Sequence, residues 1–244
     1  MNQTVKLRPD GFRERGGEVT RIEAFVDAAF AFAMSMLVIS VGAIPDSIPK
    51  LLEALKGTPA FAACFAQLAI FWYAHMTWSR RYGLDDRGSI LLSLVLVFLV
   101  MVYIYPLKYM YASLFGWITS GWLTMGVSVR TLSDLRTMFI VYAVVFGTMS
   151  IVLSLLYLRA WRQRDALNLS LDERVGTIEH IAAGWVSAGV ATASILIACS
   201  LREDWPQWMA GAPGMAYSLM FLNGPIPGWI GRRARARMLT EGVA

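Results

Sequence analysis

Ionisable side chains are costly inside a bilayer, so the few that fall in long apolar stretches are the first candidates for chemistry. In this chain only Asp27 and His75 lie clearly inside such stretches, and Glu23, Glu179 and His180 lie at their ends. Asp27 falls in the second turn of the first stretch, where the helix macrodipole favours a carboxylate. Arg21 is six residues earlier and does not share its face on a straight helix. His75 closes the second stretch within Phe71-Trp72-Tyr73-Ala74-His75-Met76-Thr77-Trp78. If the first span begins and the second ends on the same side of the bilayer, the two groups share a depth, and an Asp27–His75 contact is geometrically reasonable. That contact either locks two helices together or takes part directly in transport, and the residues leave both open. Two ligands are too few for a metal site. No nucleophile or metal stands beside them, which argues against an enzyme, and nothing calls for a cofactor.

A second pattern runs along the first stretch. Ala28, Phe32, Ser35 (or Met36) and Ile39 recur at helical spacing and form a mildly apolar stripe with one hydroxyl. Such a stripe is either a helix-packing face or a pore lining. Cys64 and Cys199 fall near the outer ends of the second and fifth spans and read as free thiols, a disulfide between those helices being the alternative.

These residues need spanning elements to position them. Of 244 residues 57% are apolar and only 16% charged, and mean hydropathy is +0.52, too little polar surface for a soluble domain. The charge-free stretches are 28–45, 57–79, 88–107, 109–129, 137–158, 181–201 and 205–231, each near the roughly 20 residues that a spanning helix needs. The fourth follows the third across Lys108 alone, too short a link for a reversal. Placing both termini in the cytoplasm with six spans puts 16 Lys and Arg inside and 6 outside, whereas seven spans give 11 and 11.

The expected fold is therefore an all-α membrane bundle of six spans, at about 22–43, 58–79, 89–113, 137–160, 176–200 and 207–230. A cytoplasmic segment (1–20) precedes the bundle, which covers 21–231, and a basic cytoplasmic tail (232–244) follows it. Residues 114–135 read as an outer interfacial loop. The first span is a retained signal anchor, too long for a cleaved signal. Asp46 and Ser47 are placed to cap a short outer helix through Lys56, Pro106 to kink or end the third span, and Pro225, Pro227 and Gly228 to make the inner half of the sixth irregular. Small residues in the second span (Ala60, Ala62, Ala63, Ala66) and the fifth (Ala182, Ala183, Gly184, Ala188) suit close helix packing in lipid. The net charge of +5 reflects inner loops, and Arg232, Arg233, Arg235 and Arg237 read as an anchor at anionic lipid, with no nucleic-acid partner implied.

The run Arg21-Ile22-Glu23-Ala24-Phe25-Val26-Asp27 leading into 28–39 resembles the RxxxFSD first helix of the lysosomal-type potassium channels, the transmembrane protein 175 family. Phe71-Trp72-Tyr73-Ala74-His75 is similar to the Phe-Trp-x-x-His that ends that family's second helix, and the Leu-rich run to Tyr105-Pro106 is similar to its third. The resemblance covers about the first 110 residues. It implies a homotetramer of the bacterial plasma membrane that passes potassium or other monovalent cations. The first helix of each subunit would line a central pore, without a carbonyl filter. It implies a constriction at Phe32 with the Ser35 hydroxyl one turn on, Ala28, Met36 and Ile39 in the lining, and Arg21, Phe25, Asp27, Trp72 and His75 as a helix-locking network. Two positions depart from the pattern: Val26 replaces the motif serine, and Phe32 is bulkier than the usual isoleucine or leucine, which would close a dewetted pore more firmly. A proton-coupled secondary transporter and a non-conducting membrane scaffold are the alternative functions.

Overall fold

A computed structural model describes residues 7–39, 45–123, 129, 131–202, 204 and 207–240, with the side chains of 207 and 208 excepted. Its helices are α1 (Arg21–Ile39), α2 (Ile48–Leu55), α3 (Thr58–Tyr82), α4 (Arg87–Ile118), α5 (Leu132–Arg162), α6 (Leu171–Ser200), α7 (Ala212–Met215) and α8 (Pro225–Thr240), with 3₁₀ turns at Gln207–Gly211 and Ala216–Asn223 flanking α7. Among the described residues, five helices (α1, α3, α4, α5 and α6) are long and apolar enough to cross a bilayer. The residues expected to end the first span, at 43, lie outside the described residues.

Four of the long helices start at a side-chain cap, and α3 instead has a proline at its first turn. Asp86 accepts from the Gly88 N–H at 3.0 Å to open α4. Thr131 with Asp134 opens α5, and Ser170 with Glu173 opens α6, each pair bonding reciprocally. Gly83 ends α3 in the left-handed conformation, φ 58°, donating to the Ser79 carbonyl.

Three expectations are corrected. Pro106 sits inside α4, which continues to Ile118, so the outer connection is shorter than 114–135. In an apolar setting the helix remains the way to pair most backbone groups, and it tolerates one lost bond. In the stretch expected as the sixth span, the irregular half is the first one (207–223), and the half from Pro225 is regular helix. Pro225 takes the first helical position and Pro227 the first turn, where a missing N–H costs little, so these prolines start a helix. The same helix carries the four arginines of the supposed tail, which is helical to Thr240.

Helices α1, α3 and α4 pack on one another, and α5, α6 and the segment 212–240 (α7, the second 3₁₀ turn and α8) form the other half; α4 and α3 join the halves through α5. The shared core holds Val26, Phe30, Leu68, Phe71, Tyr103 and Phe146. The tightest approach is between α5 and α6. A Cβ on Gly184 would lie 2.7 Å from Ser154 Cβ and 2.9 Å from the Ser150 carbonyl oxygen. Gly184→Ala is therefore expected to cost about 1–3 kcal/mol through overpacking, read as a lower melting temperature of the detergent-purified protein. Gly189→Ala, whose Cβ meets nothing within 4 Å, is expected to melt like the parent.

Residues 7–20 are no loose segment. They fold beneath the end of the bundle where α1 and α6 begin and α3 and α5 end, here called the base. Phe12 is buried against Tyr82, their rings 6.1 Å apart and edge-on, with the Arg81 guanidinium 4.0 Å from the Phe12 ring centre. Gly16 passes so close to α3 that a Cβ would lie 2.7 Å from the Ser79 carbonyl oxygen. Arg15 donates from Nη1 and Nη2 to the two carboxylate oxygens of Glu173, at 2.8 and 2.9 Å. Asp10 accepts from Arg81 Nε and Nη2 at 3.1 and 3.0 Å. Partial burial raises the Asp10 pKa, but the Phe12 N–H and the Arg81 charge outweigh it and hold the carboxyl below its usual range.

Candidate functional site

Helix α1 has two faces of opposite character. Glu23, Val26, Phe30, Ala33 and Leu37 recur at three- and four-residue spacing and are buried against α3 and α4. The motif serine's replacement, Val26, is fully buried there, where an apolar side chain needs no partner. The opposite face carries Phe25, Ala28, Phe32, Ser35 and Ile39, all exposed in the single subunit, Phe32 by 57% and Ile39 by 67%. Met36 belongs to neither: it is half-buried and packs against the core. Ser35 donates its hydroxyl proton to the Ala31 carbonyl at 2.9 Å, which leaves oxygen lone pairs at the exposed face. Chemically, this face offers apolar bulk at one level and an oxygen acceptor one turn further on.

The buried face is locked by polar bonds at its basal end. Trp72 Nε1 donates to Asp27 Oδ1 at 2.8 Å. Arg80 Nε donates to Glu23 Oε1 at 3.3 Å and its guanidinium also lies 3.5 Å from Glu14. Residues 23 and 27 are one turn apart on α1, and 72 and 80 are two turns apart on the antiparallel α3, so the two bonds clamp the helices at two levels. Thr20 caps α1 by accepting from the Glu23 N–H at 3.2 Å.

His75 is not Asp27's partner. Its Nε2 shares a hydrogen bond of 2.9 Å with Ser93 Oγ of α4, and the ring is buried. Of the two partners that the resemblance implies for Asp27, Trp72 makes the hydrogen bond, joining α1 to α3, while His75 joins α3 to α4 and feels Asp27 through its charge alone. Trp78 adds a third, donating to the Leu156 carbonyl of α5 at 2.9 Å. Arg21 and Phe25 are exposed and, among the described residues, stand outside this network. The Glu23–Arg80 pair was not anticipated. Its signal was present, since Glu23 stands one turn before Asp27 on the same face and the basal end of α3 carries Arg80.

Trp72→Phe removes one donor and leaves Asp27 Oδ1 without it in a partly buried setting. The expected cost is about 1–3 kcal/mol, measured as a lower melting temperature, with the size-exclusion profile of the parent retained.

At the same end, Asp86 accepts from Ser89 Oγ at 2.6 Å and pairs with Arg159 of α5. Burial raises its pKa, but the bonds from Ser89 and Gly88 and the Arg159 charge prevail and hold it below the ordinary carboxylate value. Cys64 is buried and Cys199 exposed, and both thiols are free. Among the described residues no His, Cys, Asp and Glu cluster could hold a metal.

Residues 21–106, the stretch containing α1, α3 and most of α4, match the family profile described as Endosomal/lysosomal potassium channel TMEM175. A curated protein of Marivirga tractuosa named "Potassium channel" is 33% identical over 208 residues, 82% of each chain. The chain is also similar to the crystal structure of a variant of the potassium channel MtTMEM175 in complex with a nanobody fusion. That likeness has a TM-score of 0.75 and 30% identity and covers 93% of this chain and 98% of that one.

Proposed function

Because the chain belongs to the TMEM175 potassium channel family, we propose that this multi-pass membrane protein assembles as a homotetramer around a central pore and passes potassium. The observation that carries the pore assignment is the divided α1. One face is locked by Asp27–Trp72 and Glu23–Arg80, while the other presents Phe32, Ser35 and Ile39 exposed, Ser35 bonding only to the Ala31 carbonyl of its own helix among the described residues. Four copies of that face around one axis make a tube lined by α1. Four Phe32 rings form its constriction, a hydrophobic barrier that gates by wetting and dewetting in place of a carbonyl filter. The Ser35 hydroxyls, one turn away, supply oxygen ligands that partly replace a cation's water.

The base of the bundle faces the cytoplasm, in keeping with the excess of Lys and Arg there, and the membrane is the bacterial plasma membrane. Asp27 bonds to Trp72 and His75 to Ser93, so among the described residues the two groups share no hydrogen bond, while Asp27 lies near enough for its charge to act on the His75 ring. A proton-coupled transporter would instead show proton-linked flux that is lost in Asp27→Asn.

The test is potassium flux from proteoliposomes containing the purified protein, with sodium and N-methylglucamine as comparisons. Potassium flux above that of empty vesicles, with N-methylglucamine excluded, is the expected result. Absence of flux both in the parent and in Phe32→Ala would remove the channel reading and leave a membrane scaffold.

A further inference from the structure

The C-terminal helix carries a surface that conduction does not use. Helix α8 runs antiparallel to α6. Ser194 Oγ donates to the Pro213 carbonyl at 2.9 Å, and Asn223 Nδ2 donates to Ser187 Oγ at 3.0 Å. Further down, Gly231 lies against Glu179, and Arg235 pairs with Asp172. This register carries α8 from mid-span to the level where α6 begins, so its arginines stand where the bundle leaves the bilayer at the base. Pro227, Gly231 and Met238 form the face buried toward the bundle.

The opposite side is built differently. Trp229, Arg233 and Arg237 recur every four residues and so lie on one stripe, with Ile226 beside Trp229 on the turn above, and all four are exposed. The Arg233 guanidinium stacks 3.7 Å from the Trp229 ring centre. Among the described residues, Arg235 is the one α8 arginine paired with a carboxylate, and Arg232, Arg233 and Arg237 have no acidic partner.

We propose that this stripe binds the headgroup phosphate of an anionic phospholipid at the basal membrane surface. Arg233 and Arg237 take the phosphate oxygens, and Trp229 and Ile226 sit at the acyl boundary. The planar guanidinium matches two phosphate oxygens, and stacking on Trp229 holds that of Arg233 in place before the lipid arrives. Tryptophan is favoured at the headgroup level, and the apolar-to-basic order along the stripe follows the change from acyl chain to headgroup along the helix. An acidic protein partner would match the arginines but leave Trp229 and Ile226 unexplained, whereas a lipid accounts for both. The proposal concerns binding alone and stands whether or not the pore conducts.

The experiment titrates the detergent-purified full-length protein with phosphatidylglycerol or phosphatidylcholine and counts bound lipids by native mass spectrometry. Phosphatidylglycerol is expected to bind more tightly than phosphatidylcholine. Arg233→Ala/Arg237→Ala is expected to weaken it roughly 30-fold, from the usual contribution of a basic residue at an anionic surface. Arg202→Ala, an exposed arginine at the opposite end of the bundle, is the control and is expected to leave binding unchanged. Equal affinity for the two lipids, or an unaltered preference in the double variant, would overturn the proposal. Should the double alanine variant fail to assemble, Arg233→Lys/Arg237→Lys decides. It keeps the charge but loses the planar fork and the stack, so a several-fold loss supports the site, and unchanged affinity overturns it.

Discussion

Phe32→Ala is expected to raise potassium flux from proteoliposomes by about tenfold or more, because it removes the bulk that closes an apolar constriction. Phe32 is on the face of α1 that no other helix covers among the described residues, and the residue is 57% exposed. In the proposed tetramer, four such rings around an axis would leave little room for a hydrated cation and bind water poorly, so the barrier would be the cost of wetting the narrowest point. Each tenfold in rate corresponds to about 1.4 kcal/mol of barrier, a small part of the dehydration cost that four methyl-sized side chains would relieve. The control is Phe98→Ala on α4, a phenylalanine of similar exposure on another helix. It faces lipid if α1 lines the pore, and its flux should match the parent. Equal flux from Phe32→Ala and the parent, with Phe98→Ala also unchanged, would place the constriction elsewhere. Phe30→Ala is informative in another way. Phe30 is buried in the core, so its truncation should cost about 3–5 kcal/mol of stability, and a change in flux there would reflect unfolding.

The long apolar helices and the stripe along α1 were legible because both are written in local periodicity, whereas which face of α1 is buried was not. Charge-free runs mark the bilayer, and three- and four-residue spacing marks a helix face. The partner of Asp27 was not legible from depth alone. Trp72 and His75 are three residues apart on α3, so their side chains leave the helix about 60° apart. That turn is enough to send Trp72 toward α1 and His75 toward Ser93 on α4. Residue type alone marks Pro225 and Pro227 as breakers, but what decides is which backbone N–H each one removes. At the start of α8 those N–H groups have no helical acceptor, so Pro225 and Pro227 favour the helix. The docking of residues 7–20 left hardly any trace in the sequence. It depends on Arg15 meeting Glu173, 158 residues away, and on Gly16 fitting against a carbonyl of α3. Neither residue belongs to a periodic pattern, and Glu173 reads as an ordinary capping-box carboxylate at the start of α6.

That double use of Glu173 predicts a large effect from a one-atom change. The carboxylate is 1% exposed and accepts from the Arg13 N–H at 2.8 Å, from both Arg15 Nη atoms at 2.8 and 2.9 Å, and from the Ser170 N–H at 2.9 Å. Glu173→Gln keeps the shape but removes the charge and turns an NH₂ toward one set of donors. Losing one partner of a buried ion pair costs about 3–5 kcal/mol. Arg15 retains some access to water, so the lower end of that range applies. The expected result is release of the N-terminal segment: faster hydrogen exchange over residues 8–20, tryptic cleavage at Arg13 and Arg15, and a lower melting temperature. A double replacement, Arg15→Met with Glu173→Met, leaves no charge stranded and should recover part of the stability, since apolar pairs of similar size can stand in for buried ion pairs. If Glu173→Gln stays as protected as the parent, then Phe12 and Gly16 hold the segment and the ion pair adds little. If the segment is released, the consequence reaches α1, the helix proposed to line the pore, because residue 20 leads directly into it. The Asp27–Trp72 and Glu23–Arg80 bonds would then be the remaining polar restraints between α1 and α3 at the base, and Trp72→Phe should be far more damaging in the Glu173→Gln background than alone. Additive losses in that double variant would show instead that the base and the α1–α3 clamp act independently.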